Sequence, residues 1–328
     1  MPKQESIDDR REKHNQAYAG GGEEKIESQH SKGKNTARER IETLVDQDSF
    51  TEQQTFIQGR STELGMDKKR FLGDGVVSGS ATINNKQVFL FAQDFTVLGG
   101  SLGEMHAERI VEVQKLALRN RCPFIQINDS GGARIQEGVL SLQGYAKIFR
   151  ANTHASGVIP QFSLVLGPCA GGAAYSPAIT DFVCMVDSVS SMYITGPGVI
   201  QAVTGEEIDQ EELGGAYTHS SKSGNAHFRF ENEQDCLEFI RHLLTYLPSN
   251  NTELPPVVDT GDPLDRETTG IMDVLPLEQK RPYDIREIIE EVFDLDTFLE
   301  VHAEYAPNVV VGFARLNGYT VGVFVNQP

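Results

Sequence analysis

Two glycine pairs, each shortly after an apolar run of strand length, are the residues of this sequence best placed to do chemistry. Gly131-Gly132 follows the run 124–127, and Gly171-Gly172 follows the run 162–166. Glycine lets the backbone approach a ligand closely and adopt conformations that a Cβ forbids. If a helix starts at such a loop, its first N–H groups are unpaired and the positive end of the helix dipole lies behind them. Such donors can stabilise an oxygen that gains negative charge during a reaction, as in an oxyanion hole.

Each loop also has a purely structural interpretation. The second glycine pair could serve only to pack a helix closely on a strand, and Asp129 or Ser130 could cap a helix. Arg134 suits a phosphate or carboxylate ligand, and it equally suits a structural ion pair. Neither loop is a Walker loop or a complete GxGxxG motif, and Ser130 is not in a GxSxG elbow. The sequence therefore argues against a serine hydrolase.

Alternating strands and helices are predicted to hold the two loops. The predicted order is helix 104–120, strand 124–127, a helix from residue 133, strand 162–166, a helix from residue 172, and strands 182–186 and 191–194. That alternation is typical of an α/β layer with parallel strands. Upstream, the pattern predicts a helix from about Thr36 and a strand hairpin that turns at Asn84-Asn85.

The composition narrows the range of functions. The 328 residues carry a net charge of −18, which argues against a general nucleic-acid surface. No apolar stretch reaches the roughly 18 residues of a membrane span, and the N-terminus resembles neither a secretory signal nor a transit peptide, so we expect a cytoplasmic protein. The four cysteines and eight histidines lack metal-ligand spacing. We therefore predict no metal site, and we expect three of the cysteines to be small buried hydrophobes.

The sequence begins to repeat itself beyond a polar, proline-rich connection at 249–268. The block 44–52 aligns with 292–300, and a hairpin pattern that starts at Val76 aligns with a second one that starts at Val309. We therefore predict four parts: a mobile segment over 1–32, a first domain over 33–252, a linker over 253–268 and the start of a duplicated domain over 269–328. The second copy reaches Pro328 before any counterpart of a glycine loop, so the pattern predicts a fragment of a longer protein.

Together these segments resemble the carboxyltransferase (β) subunit of biotin-dependent acyl-CoA carboxylases, of the propionyl-CoA and acetyl-CoA carboxylase type. The two most specific matches contain the glycine loops: NDSGGARIQEG at 128–138 and GPCAGGAAYSP at 167–177. Further matches lie at 33–40, 95–101, 192–197, 204–207 and 212–215. The resemblance implies a crotonase-like (ClpP/crotonase) α/β fold, a β-β-α superhelix. One complete N-terminal domain would bind acyl-CoA, and the start of a duplicated C-terminal domain would belong to the biotin-binding half.

The resemblance also implies a reaction and a site. A carboxyl group would pass from carboxybiotin, carried by a partner protein, to the α-carbon of propionyl-CoA or acetyl-CoA through an enolate. Gly171 and Gly172 are implied to be the catalytic N–H donors to the enolate oxygen. The implied acyl-CoA-binding residues are Gly131, Gly132, Ala133, Arg134, Ala170 and Tyr175. No general base of the protein is needed, because biotin itself can take the proton.

The implied assembly is an ATP-dependent complex of a homo-hexamer with a biotin carboxylase and biotin carboxyl carrier subunit, with no metal in this chain, no nucleic acid and no membrane. Biotin would be held mainly by the C-terminal domain of a neighbouring subunit, so we expect this chain alone to bind acyl-CoA weakly and not to transfer carboxyl groups. Two alternatives stay open. One is the carboxyltransferase subunit of a sodium-pumping acyl-CoA decarboxylase, and the other is a non-catalytic CoA-binding or assembly module.

Overall fold

The structure is a computed structural model that describes residues 2–278 and 280–328. Its helices are α1 Pro2–Tyr18, α2 Glu23–His30, α3 Ala37–Leu44, α4 Glu104–Asn120, α5 Val139–Ala155, α6 Gly172–Ala178, α7 Pro197–Thr204, α8 Gln210–Gly214, α9 Glu233–Leu243, α10 Ile271–Val274 and α11 Ile285–Val292. Its strands are β1 Thr51–Glu52, β2 Val76–Ile83, β3 Lys86–Gln93, β4 Phe124–Ser130, β5 Gln161–Ala170, β6 Phe182–Val186, β7 Ser191–Tyr193, β8 Phe228–Phe230, β9 Leu299–Val301, β10 Val309–Leu316 and β11 Tyr319–Asn326.

A mixed sheet of strand order β1-β2-β3-β4-β5-β6-β8 forms the centre of the molecule, and β7 pairs with the far end of β5. The strands from β3 to β8 pair in parallel, as the alternation of strands and helices predicts, and β1, β2 and β3 pair antiparallel. Asn84 and Asn85 connect β2 to β3 with φ angles of 51° and 63°. Two successive positive φ values are the mark of the type I′ hairpin turn that this asparagine pair predicts.

The side chains of the sheet alternate between two apolar layers. Along β5, Leu164 and Leu166 face a core shared with α3 and α9, whereas Val165 faces a core shared with α4, α5 and α6. Successive residues of a strand point to opposite faces, so a strand buried on both sides is apolar at consecutive positions. This explains why the runs before the two loops have no polar alternation.

A buried group of charges joins three distant segments beneath the first loop. Asp129, at the end of β4, lies 2.7 Å from Lys34 Nζ and 2.9 Å from Arg40 Nη1, and the Arg40 guanidinium binds both carboxylate oxygens of Glu233 at 2.6 and 3.0 Å. Burial on its own would lower the pKa of Arg40, but the charges of Asp129 and Glu233 outweigh burial and raise it. We call these four residues the buried charge cluster.

Within the segment 1–32 that composition predicts to be mobile, residues 2–18 and 23–30 are helical. They form α1 and α2, and Gln29 is buried with its Nε2 donating to Asp129 Oδ2 at 3.3 Å. Arg38 links this segment to the rest, since its guanidinium lies 3.8 Å from the ring centre of Tyr18 and its Nη2 donates to the carbonyl of Ala17. Composition alone suggested disorder because the segment has few apolar residues; polar and cation–π contacts hold it instead.

The predicted helices agree with the structure except after the first loop. α3 begins at the capping box of Thr36 and Glu39, and α4 spans the predicted residues 104–120. The helix predicted from residue 133, however, begins at Val139 after a short 3₁₀ turn over Ile135–Glu137. Ala133 is instead extended and bridges to Leu102. The loop therefore continues the sheet beyond β4, because backbone pairing with Leu102 satisfies the Gly132 carbonyl and the Arg134 N–H.

The internal repeat has a structural counterpart. In each copy a helix and a short strand precede an antiparallel hairpin: α3, β1 and β2-β3 in the first copy, and α11, β9 and β10-β11 in the second. The second sheet packs on the first through the rings of Phe313 and Phe182, 6.2 Å apart. Between the two copies, the Tyr246 hydroxyl after α9 donates to the Thr297 carbonyl before β9 at 2.9 Å. The domain boundaries themselves stay predictions.

Two expectations from composition can be compared with the described residues. Cys169, Cys184 and Cys236 are buried and Cys122 is half-buried, in agreement with the prediction that three cysteines pack as hydrophobes. Among residues 2–278 and 280–328, no helix combines the length and apolar character needed to cross a membrane.

Replacing the central cation of the buried charge cluster should destabilise the fold strongly. Arg40→Met leaves Asp129 and Glu233 in the interior without their shared partner, so we expect a loss of about 3–5 kcal/mol in the free energy of unfolding. Arg60→Met is the matched control because Arg60 is paired with Glu104 but exposed, and its urea midpoint should change little. Equal urea midpoints for the two variants would contradict this account of the cluster.

Candidate active site

Both predicted loops leave the sheet at the same end, the carboxyl ends of β4 and β5. β4 and β5 are parallel neighbours, and Ser130 pairs with Cys169 just before the loops begin. The loops then touch, since a Cβ on Gly132, which has φ of 98°, would lie 2.7 Å from the carbonyl oxygen of Ala170. The carboxyl ends of adjacent parallel strands are a usual place for ligand binding in α/β folds.

The first loop leaves one amide free. The N–H of Gly131 donates to Gly99 O at 3.0 Å and that of Gly132 donates to Ser130 Oγ at 3.1 Å. In the described part of the chain, the N–H of Ala133 has no acceptor. The carbonyl of Gly132 and the N–H of Arg134 both bind Leu102. In an extended segment, successive residues direct their backbone groups to opposite sides, so the Ala133 N–H faces away from Leu102.

The second loop also leaves an amide free, but it is not that of Gly171. Gly171 has φ of 56° and its N–H donates to Tyr193 O at 3.0 Å. Gly172 starts α6 as predicted, and within the described residues its N–H has no acceptor. The structure thus differs from the expectation that Gly171 and Gly172 act as a pair, because β7 pairs with this loop and takes up the first amide. The free amides are those of Ala133 and Gly172, one from each loop.

An aromatic layer beneath α6 requires glycine at position 172. A Cβ there would lie 2.7 Å from the ring of Tyr145, which is itself buried and stacks on Phe149 at 5.8 Å between ring centres. Phe149 in turn contacts the ring of Tyr175 edge-on at 6.0 Å. Of the predicted acyl-CoA-binding residues on this side, Tyr175 is exposed and Ala170 is half-buried next to the first loop.

Arg134 lies in a structural ion-pair network and not on the open side of the first loop. Its side chain is buried, and Nη1 binds Asp74 Oδ1 at 2.7 Å and Glu137 Oε1 at 2.8 Å. Nη2 donates to the carbonyl of Ser101 at 2.9 Å. This arrangement matches the structural alternative noted for Arg134 and not its predicted role in acyl-CoA binding. Burial raises the pKa of Asp74, and the Arg134 charge opposes that rise.

The buried charge cluster supports both loops from inside. A Cβ on Gly167 would lie 1.9 Å from Asp129 Oδ1, and a Cβ on Gly100 would lie 2.0 Å from the Asp129 carbonyl oxygen. Glycine at these two positions lets the strand ends close around the carboxylate. Burial lowers the pKa of Lys34, and the charge of Asp129 opposes that shift. Lys34 also places its Nζ 4.6 Å from the ring centre of Phe95, at the border of a cleft described next.

A cationic cleft next to the first loop was missed by the sequence analysis. It has a volume of about 460 Å³, and its walls include Lys25 and Lys32 near α2, Lys69, and the rings of Phe71 and Phe95. Gly99 belongs to its lining and accepts the N–H of Gly131, so the cleft adjoins the loop. We call it the lysine cleft. The sequence analysis did not consider a cleft here because it predicted residues 1–32 to be mobile. The positive charges of Lys25 and Lys32 were a possible signal of an anion-binding site.

No metal centre accompanies these loops in the part of the chain that the structure describes. Across residues 2–278 and 280–328, no three His, Cys, Asp or Glu side chains form a group that could hold a metal ion. The groups that the described residues bring to the two loops are backbone amides and the positive charge of the lysine cleft.

Comparison with known proteins assigns the chain to a family. The sequence profile of the carboxyl transferase domain matches residues 28–328, and the chain belongs to this family. It is 54% identical over 325 residues to the methylmalonyl-CoA decarboxylase subunit alpha of Veillonella parvula, a match that covers 99% of this chain and 64% of that protein. It is 51% identical over 328 residues to the propionyl-CoA carboxylase carboxyltransferase subunit of Haloferax mediterranei, with 100% and 64% covered.

A solved structure gives the same result for the fold. The crystal structure of transcarboxylase 12S, with methylmalonyl-CoA bound, superposes with a TM-score of 0.96 at 46% identity and covers 99% of this chain and 63% of that one. The family resemblance proposed from the sequence and the crotonase-like α/β fold are thereby confirmed. The chain spans less than two thirds of the length of these three relatives.

Adding a single methyl group at Gly172 should destabilise the start of α6. Gly172→Ala drives a Cβ into the Tyr145 ring, and such overpacking costs about 1–3 kcal/mol of unfolding free energy. Gly198→Ala is the matched control, since no atom lies within 4 Å of its Cβ position. Urea denaturation followed by circular dichroism should show a lower midpoint for the first variant only. A common midpoint would mean that Tyr145 does not constrain this loop.

Proposed function

We propose that this chain supplies the acyl-CoA half of a carboxyltransferase site. A carboxyl group would move from carboxybiotin, on a partner carrier protein, to the α-carbon of a short acyl-CoA such as propionyl-CoA. The observation that carries this proposal is the pair of free amides of Ala133 and Gly172 on touching loops. The family membership and the relatives named above support the same reaction class.

The two amides suit the charge that develops in this reaction. Loss of the α-proton converts the thioester carbonyl into an enolate, whose oxygen carries negative charge. Backbone N–H groups that are fixed in place stabilise such an oxygen more than they stabilise the neutral carbonyl, and so lower the barrier. Biotin on the carrier would supply the carboxyl group and accept the proton. The role of this chain is to bind the thioester and hold the enolate.

The lysine cleft suits the nucleotide end of coenzyme A. Its lysines offer cations for phosphate groups, and the rings of Phe71 and Phe95 offer an apolar surface for the adenine or the pantetheine arm. Because the cleft adjoins the first loop through Gly99, one extended ligand can reach both. Gly131, Gly132, Ala170 and Tyr175 would then line the path of the acyl-pantetheine end.

Exposed apolar side chains around the loops support a homo-oligomer. Ile135, Val139, Leu142, Ile194 and Val203 are all exposed on the segments that surround the two loops. Such a concentration of apolar surface is typical of a protein interface. We propose that a second copy of the protein covers it within a hexamer, in keeping with the hexamer assembly of the transcarboxylase 12S core. A biotin carboxylase with its carrier would be the further partner, and the cytoplasmic location stays a prediction.

The reverse reaction, decarboxylation of an acyl-CoA, is the weaker alternative. It is favoured by the likeness to the Veillonella decarboxylase subunit. The same amides would serve both directions, because a catalyst stabilises one transition state. The proposal for this chain is therefore the same in either case: it holds the acyl-CoA enolate.

An enolate mimic provides the direct test of the two amides. A CoA analogue that carries a nitronate in place of the enolate should bind at least about 100-fold more tightly than propionyl-CoA, as transition-state analogues do. Ala133→Pro removes one N–H without breaking a hydrogen bond of the structure and should abolish most of this preference, whereas Gly198→Ala should keep it. Calorimetric titration measures both affinities. Equal binding of the two ligands to the unaltered chain would overturn the proposal.

The lysine cleft makes a separate prediction about coenzyme A. Lys32→Ala should weaken binding of propionyl-CoA by about tenfold or more, since a charged hydrogen bond to phosphate contributes about 1.5–3 kcal/mol. The same variant should leave the affinity for propionyl-pantetheine, which lacks the nucleotide, unchanged. Lys222→Ala, at an exposed lysine outside the cleft, is the control. If both ligands lose affinity equally, the cleft does not bind the nucleotide.

A further inference from the structure

The direction of the free Gly172 N–H depends on the residue before it. The peptide unit that carries this N–H also carries the Gly171 carbonyl, which accepts the N–H of Ala174 in α6 at 2.9 Å. The N–H and C=O of a trans peptide point in opposite directions, so the Gly172 N–H points away from α6. Gly171 has φ of 56° and ψ of −123°, a conformation that glycine adopts without strain. Since its own N–H donates to Tyr193 O, the position of β7 sets the direction of the free amide.

β7 is short, and its backbone has few partners. It consists of Ser191–Tyr193 and pairs in parallel with the far end of β5 on one side. On its other side, Ser191 forms a single antiparallel bridge to Gly215. A usual strand has about five or six residues, so β7 has fewer backbone hydrogen bonds to hold it than most strands have. Side-chain contacts therefore contribute more than usual to its position.

His219 binds β7 on the side away from the second loop. Successive carbonyls of a strand point to opposite sides, so Met192 O faces away from the loop when Tyr193 O faces it. His219 Nε2 lies 2.8 Å from Met192 O. A carbonyl can only accept a hydrogen bond, so Nε2 carries a proton and donates. Within residues 2–278 and 280–328, no other side chain hydrogen-bonds to the backbone of β7.

The other nitrogen of the His219 ring is held as well. Nδ1 lies 2.8 Å from Ser223 Oγ, and in the neutral ring it accepts the hydroxyl proton. Both residues belong to one π-helical turn, Thr218–Ser223, and such turns are frequent at functional sites. Gly214, at the end of α8, leaves room for the contact, since a Cβ there would lie 2.1 Å from Met192 O. The half-buried ring is thus fixed in one orientation with its donor on β7.

We propose that His219 is a positioning residue of the site that holds the enolate. It does not touch the acyl-CoA. It holds the Met192 carbonyl, so that the next carbonyl, Tyr193 O, keeps the Gly171 N–H and directs the Gly172 N–H to the ligand. This inference rests on the function proposed above, because it matters only if the Gly172 amide binds the enolate oxygen. It requires an N–H donor at position 219 and not a positive charge.

The nitronate analogue and propionyl-CoA test the proposal by calorimetric titration. His219→Ala removes the donor, and the affinity for the nitronate should fall roughly tenfold or more, because a small misplacement of a site group costs this much. The affinity for propionyl-CoA, whose neutral carbonyl depends less on the amide, should stay within about twofold. His219→Gln keeps a side-chain N–H at a similar reach and should restore most of the preference. His154→Ala, at an exposed histidine of α5, is the control and should bind both ligands as the unaltered chain does.

A second variant keeps the proposal testable if His219→Ala does not fold. Ser223→Ala changes an exposed residue and leaves Nδ1 without its partner, so the ring can turn away from β7. The preference for the nitronate should then fall by less than in His219→Ala, while the urea midpoint stays the same. An unchanged preference in Ser223→Ala would count against the proposal and overturn it.

Three further results would overturn the proposal and leave the proposed function standing, because in each the unaltered chain still prefers the nitronate. A normal preference in His219→Ala would show that β7 needs no side chain to direct the amide. Equal losses in His219→Gln and His219→Ala would contradict the role of the donor. A proportional loss of both affinities with a lower urea midpoint would mean that His219 only stabilises the fold. If the unaltered chain binds both ligands equally, the proposed function fails and this inference fails with it.

Discussion

The buried carboxylate of Asp129 is the constraint on which the architecture around the two loops depends. It ends β4 directly beneath the first loop, where water cannot stabilise its charge. Lys34 and Arg40 from the N-terminal part of the chain supply the compensating charges, and Glu233 at the start of α9 binds the other side of Arg40. Because a buried charge without partners costs several kcal/mol, these segments must be ordered together. The buried charge cluster thereby links the N-terminal segment, the sheet and α9.

Packing around that point divides the glycines into two groups with different roles. Gly100 and Gly167 allow the backbone to close on Asp129, where any Cβ would overlap its atoms. Gly132 and Gly172 act one layer farther out, where the two loops touch each other and the Tyr145 ring. The first group fixes the strand ends, and the second keeps two amides close to the surface. The glycine-rich motifs therefore combine a structural and a chemical requirement.

The positive charges also fall into a buried group and an accessible group. The chain is strongly acidic overall, yet five of its 29 lysines and arginines lie in the buried charge cluster and the lysine cleft. In the buried charge cluster, the carboxylates of Asp129 and Glu233 neutralise the cations. In the lysine cleft, Lys25, Lys32 and Lys69 have no carboxylate partner among the described residues, which leaves their charge available to anionic ligands. Because the acidic remainder of the surface repels anions, such ligands would favour this cleft.

Local sequence determined the elements, and tertiary contacts determined the site. Apolar runs, the Asn84-Asn85 turn and the Thr36–Glu39 capping box predicted strands, hairpin and helix correctly, since each depends on neighbours in sequence. The two glycine loops were also found from the sequence alone. Which amides are free was decided by pairing with distant segments: Tyr193 takes the Gly171 N–H, and Leu102 turns the Ala133 N–H outward. The ion pairs of Arg134 and the contacts of Tyr18 and Gln29 likewise depend on partners far along the chain, which no local pattern specifies.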